Sequence, residues 1–306
     1  MKKLVKTFFA ALLAFTMTAC ASDEKDEAAE VKTGTNSTYA YLLDTTDLNK
    51  PELDLSNATG KLKSVLDAGV LVIATSPDFP PGQFMSEDGT QVLGSEMMFA
   101  KYIADVLGVD LQIETMDFSA VLTAVSTGKV DLALSGFGYK KDRAENFEIS
   151  YGYSGTDEAS CHGLLVYEET VDDYETLEDF SGKHILAQAS SLQQMYVEDE
   201  IPDADLELVS TLDQAILNMT SGKADAVALP CTTAERYAAN SDGLLAKSTV
   251  EFDLTPYEDY AGTVMCAAKG ETEFMDVLNQ IITTVNENQY YTDWYNVAKE
   301  QAGIED

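Results

Sequence analysis

The sequence predicts an α/β protein built as two similar lobes. Two observations carry that expectation. Over residues 62–138, and again over 184–229, short β-rich apolar runs alternate with stretches whose apolar residues recur at helical spacing. That alternation with short links implies mostly parallel sheets covered by helices. The phrase Ser126-Thr-Gly-Lys-Val-Asp-Leu-Ala-Leu134 is also echoed by Thr220-Ser-Gly-Lys-Ala-Asp-Ala-Val-Ala228. Each copy is a helix end, a Gly-Lys pair and an Asp-led strand. A unit repeated in this way reads as two lobes rather than one long sheet.

The elements follow in order. Leu62 to Ala68 is a short amphipathic helix stopped by Gly69, and Val70 to Thr75 is a buried strand. Pro77 to Gly82 reads as a rigid loop. Glu96 to Leu107 has helical spacing and closes at Gly108, and Val109 to Thr115 alternates as a strand does. A helix over Phe118 to Ser126 leads to a strand over Val130 to Leu134, which ends in Ser135-Gly-Phe-Gly138. In the second lobe, strands are expected at His184 to Gln188, Leu206 to Val209 and Ala224 to Leu229. Helices are expected at Leu192 to Val197 and Leu212 to Thr220. Ligands of open α/β sheets bind beyond the carboxyl ends of the strands. Two such lobes facing each other make a cleft, a common small-molecule site.

The chain begins with Lys2, Lys3 and Lys6, then the apolar run Phe8 to Phe15, then Met17-Thr-Ala-Cys20. A basic start, a short apolar core and small residues before a cut read as an export signal. The run falls short of the ~20 residues that span a bilayer. A cysteine directly after the small residues resembles a bacterial lipobox. This implies a signal peptide over residues 1–19 and a lipidated Cys20. Residues 20–58 are small, charged or rich in Thr, Asn, Ser and Gly. They read as a flexible acidic tether, with Tyr39 to Leu43 as the one apolar patch and the one part with the means to dock on the domain.

Fifty-three acids face nineteen bases, a formal net charge of -34. This argues against nucleic acid as partner, where basic patches supply affinity. It also argues against docking by charge on anionic lipid. After Cys20 three cysteines remain, Cys161, Cys231 and Cys266. At most one internal bridge is possible, the spacings match no metal motif, and buried free thiols are the expectation. His162 and His184 have no metal-like partner at short spacing and read as structural or exposed.

The chain resembles the family 3 extracellular solute-binding proteins, the polar amino-acid receptors of ABC importers. The residues that carry the likeness run in order: Gly69 to Thr75, Phe79-Pro-Pro81, Glu87-Asp-Gly89, Gly94-Ser-Glu96 and Ala100 to Gly108. Phe118, Gly128-Lys-Val-Asp131, Ser135-Gly136 and Asp142-Arg-Ala144 continue it. Leu177 to Lys183, Gly222 to Ala226 and Asn288 to Tyr295 complete it. The resemblance implies a two-lobed, periplasmic-binding-protein-like fold (type II) with a hinge of two crossing strands. Lobe 1 would comprise residues 59–165 and 262–306, and lobe 2 residues 166–261. Leu164 to Tyr167 would cross outward and Ala261 to Ala268 would cross back. No catalytic residue, cofactor or metal is implied, and the protein would be a monomer held to the membrane by lipid alone, working with an ABC permease.

The resemblance also implies a site. Arg143 stands where the family clamps a ligand carboxylate, and a guanidinium offers paired donors in that geometry. Ser135, Gly136 and Gly138 would present backbone at a strand end. Gly138 stands where the family usually has Thr. Phe79 and Phe118 match aromatic walls. Gln188, Ser190 and Ser191 match a strand-end and helix-start turn whose N–H groups favour a carboxylate. Three positions depart from the pattern. Pro230, with Cys231 next, replaces the usual acid for the α-amine. Ser76 replaces a first-strand Asp, and Gly82 replaces an aromatic. Asp157 and Glu158 are candidate substitutes for the missing acid. The expected solute is therefore a small carboxylate-bearing molecule, an amino acid or a derivative.

Two rivals remain at this stage. A cyclohexadienyl dehydratase-like enzyme on the same scaffold would need a positioned acid in the cleft, and none is evident in the sequence. A receptor feeding a sensor partner would share every feature above.

Overall fold

The computed structural model describes residue 39 and residues 41–154, 161–256 and 262–304, all within one compact unit spanning Thr33–Asp306. The expected signal peptide, Cys20, Asp157 and Glu158 lie outside the described residues.

The first lobe runs through α1 (Gly60–Ala68), β1 (Val70–Thr75), β2 (Asp78–Phe79), β3 (Gln83–Met85), β4 (Val92–Leu93), α2 (Ser95–Leu107), β5 (Asp110–Thr115), α3 (Phe118–Ser126), β6 (Leu132–Gly138), α4 (Lys141–Asn146) and β7 (Phe147–Ile149). The second runs through β8 (His162–Tyr167), β9 (His184–Gln188), α5 (Leu192–Glu200), β10 (Asp205–Val209), α6 (Leu212–Thr220), β11 (Ala226–Pro230), α7 (Cys231–Ala239) and β12 (Leu245–Glu251). Then come β13 (Thr263–Ala268), α8 (Thr272–Glu287) and α9 (Tyr290–Ala302).

The strands form two five-stranded sheets, ordered β5-β1-β6-β13-β7 and β10-β9-β11-β8-β12. Within each, the first three strands are parallel and the last two add antiparallel. Parallel strands covered on both faces need near-continuous apolar runs, which is what Leu71, Ile73 and Ala74 supply in β1 and Ala226 to Leu229 in β11. Because β13 pairs with β6, the chain returns to the first sheet after building the second. The first lobe is discontinuous.

The repeated Gly-Lys-x-Asp phrase has a physical cause. Gly128 and Gly222 each follow a helix end with φ near +73° and +72°, a left-handed turn that favours glycine. The aspartate that follows then closes onto the neighbouring strand. Asp131 accepts the Val72 N–H at 2.9 Å through its carboxylate, and Asp225 accepts the His184 N–H at 2.8 Å in the same way. In each lobe one carboxylate fixes the register at the start of the central parallel strands.

Three expectations need correction. The tether was expected to run to residue 58, but residues 41–58 lie on the first lobe. Leu42 is buried in its core, and Leu43, Leu48, Leu53 and Leu55 pack against it. Thr45 donates to Asp105 at 2.6 Å, and the Asn49 N–H donates to the Tyr290 hydroxyl at 2.8 Å. Leucines spaced singly through a polar stretch leave no periodic signal, yet each finds its own dimple. Leu164 to Tyr167 was expected to cross between lobes, but β8 lies wholly inside the second sheet between β11 and β12. The second lobe therefore includes His162. The expected loop over Pro77 to Gly82 contains β2, which joins β3 and β4 in a small antiparallel sheet.

Candidate functional site

A cavity of about 380 Å³ is lined by residues of both lobes. That volume falls within the ~300–1,000 Å³ of small-molecule sites. Of the residues expected at the site, Phe79, Phe118, Gly136, Gly138, Arg143, Gln188 and Ser191 line it. Ser135 and Ser190 do not line it: Ser135 is buried and Ser190 is exposed. The Ser135 hydroxyl accepts the Ser76 N–H at 2.9 Å and the Gln83 amide at 3.4 Å, so it ties the ends of β6 and β1 together.

Arg143 comes from α4 and is only 5% exposed. Its Nη1 donates to the Gly138 carbonyl, and its Nη2 donates to the Ser190 carbonyl at 3.0 Å. The guanidinium thus joins the two lobes through backbone oxygens, 5.0 Å over the Phe137 ring. Burial pushes its pKa below the ordinary arginine value. A guanidinium carries five N–H donors, and among the described residues no carboxylate pairs with this one.

The aromatic walls differ in kind. Phe118 opens α3 and packs on Phe137 with ring centroids 4.7 Å apart, so it is at once core and cavity wall. Phe79, from β2 of the first lobe, packs against the core of the second. Opposite it, Ser191 caps α5 by accepting the Gln194 N–H at 3.1 Å. Gln188 places its amide nitrogen 2.9 Å from Asp78 Oδ2 and 3.2 Å from the Ser210 carbonyl.

Gly138 has a steric partner across the cleft. A methyl group on it would lie 2.3 Å from Leu192 Cδ1 of α5. Leu192 fills the space that a side chain at position 138 would need. A side chain at position 138 would require Leu192 to shift.

The sequence reading missed an acid. Glu96, on the first turn of α2, lines the cavity and is 1% exposed. It accepts the Gly136 N–H with both oxygens, at 3.0 and 2.9 Å, and it accepts the Tyr153 hydroxyl. Desolvation pushes its pKa up to about 7, against the lowering pull of Tyr153 and Gly136. The expectation of a cleft without an acid is corrected by this residue. The signal was present in Gly94-Ser-Glu96, but a charged residue at a helix start reads equally well as an exposed N-terminal acid.

His162 also lines the cavity, although the sequence suggested only a structural or exposed role. Its Nδ1 and the side-chain amide of Gln193 form a hydrogen bond at 2.7 Å. Burial lowers its pKa to about 4, and the ring is neutral at pH 7. Gln83, Gln193, Tyr196, Thr233, Tyr291 and Tyr295 are among the further polar residues of the lining that pattern reasoning did not find.

Pro230 lines the cavity where an acid was sought, and the next residue corrects the thiol expectation. Cys161 and Cys231 form a disulfide, with Cα atoms 5.4 Å apart. Antiparallel pairing of β8 with β11 sets His162 opposite Pro230, which brings the flanking cysteines together. A separation of 70 residues in sequence could not reveal that. Cys266 remains free and buried. Glu251 lies near the bridged sulfurs, but the bridge occupies both as ligands.

The family description "Bacterial extracellular solute-binding proteins, family 3" matches residues 71–297. The chain is 35% identical over 94 residues to the arginine-binding protein ArgT of Corynebacterium glutamicum, covering 30% of this chain and 31% of that one. It is 26% identical over 223 residues to the arginine-binding extracellular protein ArtP of Bacillus subtilis, covering 71% of this chain and 81% of that one. Among solved structures it is similar to an amino acid ABC transporter substrate-binding protein of Streptococcus pneumoniae bound to L-arginine. That likeness has a TM-score of 0.72 and 30% identity, covering 79% of this chain and 98% of the other.

Proposed function

Since the chain belongs to the bacterial extracellular solute-binding proteins of family 3, we propose that it is the receptor of an ABC importer for an amino acid that carries a cationic group. The observation that carries this reading is one cavity holding a buried guanidinium and a buried carboxyl, neither paired with an ion. Arg143 supplies a guanidinium with unused donors, and Glu96 supplies a carboxyl. Burying an unopposed charge is costly, so a solute with a carboxylate at one end and an ammonium or guanidinium at the other relieves both. L-Arginine, the ligand in the pneumococcal relative, is the first candidate.

Solute enters between the lobes and sets its carboxylate on Arg143. Its cationic group then draws Glu96 fully into the ionised form, because an opposite charge nearby favours ionisation. Phe79 and Phe118 cover its aliphatic part. Closure is stabilised by the bonds of Arg143 to Ser190 and of Gln188 to Asp78, which join the lobes, and the closed form is what a permease would recognise. Both oxygens of Glu96 are held by Gly136 and Tyr153, which suits a fixed charge better than a proton shuttle and favours a receptor over the dehydratase alternative. Lipid anchoring through Cys20 belongs to the same proposal, on the strength of the Met17-Thr-Ala-Cys20 segment.

Calorimetry with a panel of L-amino acids tests the reading. Binding of a cationic member, weakened at least about a hundredfold in Arg143→Ala, is expected. Tight binding that survives Arg143→Ala unchanged would overturn the clamp.

A further inference from the structure

Asp78 stands on β2 of the first lobe, yet its Oδ2 is held by two donors of the second. It accepts the Gln188 amide at 2.9 Å and the Leu212 N–H at 2.7 Å. Its Oδ1 accepts the Ser76 hydroxyl at 2.7 Å, within its own lobe. Leu212 opens α6, so the carboxylate also meets the positive end of a helix. The segment is approached again nearby, where the Tyr237 hydroxyl lies 3.1 Å from the Asp78 carbonyl and 3.0 Å from Asp213 Oδ1, sharing its one proton between them, and the Thr233 hydroxyl donates to the Pro80 carbonyl at 3.0 Å.

These contacts settle which way the Gln188 amide is turned. Its nitrogen lies between two acceptors, Asp78 Oδ2 and the Ser210 carbonyl at 3.2 Å. The flipped amide would set its oxygen against both, with no hydrogen to share. Oε1 is therefore the polar atom that Gln188 has left to offer. Among the described residues nothing donates to it, and Gln188 lines the cavity. An acceptor at that point is satisfied by water when the cleft holds no solute, and by an N–H or O–H of a solute that displaces it.

We propose that Asp78 is a positioning residue: it turns the Gln188 carboxamide so that its oxygen meets the solute, and so makes the second lobe select the donor-bearing end. Asp78 does not itself line the cavity. It acts through Gln188, and its bonds across the cleft form only when the lobes meet. This rests on the amino-acid reading above and names how one wall discriminates.

The test compares L-arginine with 5-guanidinopentanoate, which lacks the α-amine, and L-norvaline, which lacks the guanidino group, on the full chain by calorimetry. Asp78→Ala removes the acceptor and frees the Gln188 amide to turn. Asp78→Asn can keep it, with Oδ1 accepting from Gln188 and Leu212 while Nδ2 donates to the Ser76 hydroxyl. Asp78→Ala is expected to reduce the preference for arginine over one of the two analogues by about tenfold or more, and Asp78→Asn to retain that preference. An equal loss for all three ligands in Asp78→Ala would mean only that the lobes close less well, and would overturn the positioning role while leaving the amino-acid reading intact. No binding of any cationic amino acid to the unaltered protein would overturn both.

Discussion

The Glu96 carboxyl grips the Gly136 backbone twice, with the N–H 3.0 Å from Oε1 and 2.9 Å from Oε2. The bond joins the start of α2 to the end of β6 at the cavity wall. It also takes the N–H that the strand end was expected to offer a ligand. Glu96 thus exchanges one backbone contact for a charge of its own.

That buried charge makes stability depend on pH. In the folded protein Glu96 titrates near 7, above its ordinary value of 4.5, because burial disfavours the charged form. A raised folded pKa contributes stability that is fully present below pH 4.5 and is lost as pH rises through 7. The shift corresponds to roughly 3 kcal/mol. Glu96→Gln retains an acceptor for Gly136 and cannot ionise. In urea unfolding without solute, the stability of the unaltered protein minus that of Glu96→Gln should fall by about this amount between pH 4.5 and pH 8. A difference that stays flat across that range would mean Glu96 is not buried as described.

Gly138 and Leu192 face each other from different lobes. The Cβ of Gly138→Ala would press on Leu192 Cδ1 at 2.3 Å, and its Cγ at 3.0 Å. Overpacking of this kind costs roughly 1–3 kcal/mol. The strain arises only where the lobes meet, so solute affinity should fall about tenfold or more while the melting temperature without solute changes little. Adding Leu192→Ala should recover most of the loss. A double-mutant cycle by calorimetry measures this coupling, and simple additivity would disprove it.

The Cys161–Cys231 bridge closes a long loop and ties the start of β8 to the start of α7. Its loss in Cys161→Ser/Cys231→Ser should cost roughly 2–4 kcal/mol in chemical unfolding. Affinity should fall as well, because Pro230 and Thr232 flank Cys231 on the cavity wall. Cys266 behaves oppositely. Burial raises its pKa to about 12, against the pull of Arg143, so it should resist thiol reagents until the protein unfolds.

Much of the fold was legible because its signals are local. Apolar runs such as Val70 to Thr75, left-handed glycines after helices and the Gly-Lys-x-Asp repeat report conformation within a few residues. The return of β13 to the first sheet came from the resemblance and not from any such pattern. What the sequence could not reveal depends on side chains meeting across distant segments. The 41–58 segment failed because isolated leucines carry no period. Cys161 and Cys231 failed because a bridge depends on strand pairing and not on spacing.

For this protein the sequence by itself determined the α/β class and the doubled unit, because alternating runs and a repeated turn constrain backbone locally, while Arg143 was singled out only through the family resemblance. The tertiary structure alone placed an acid at the cavity. Glu96 and Pro230 look unexceptional in sequence. Only when α2 packs beneath β6 does one acid lose its water and face the cavity while the position once expected to hold it carries a ring with no charge. Desolvation is a property of the fold, and it is what sets the titration of Glu96 apart from that of an ordinary glutamate.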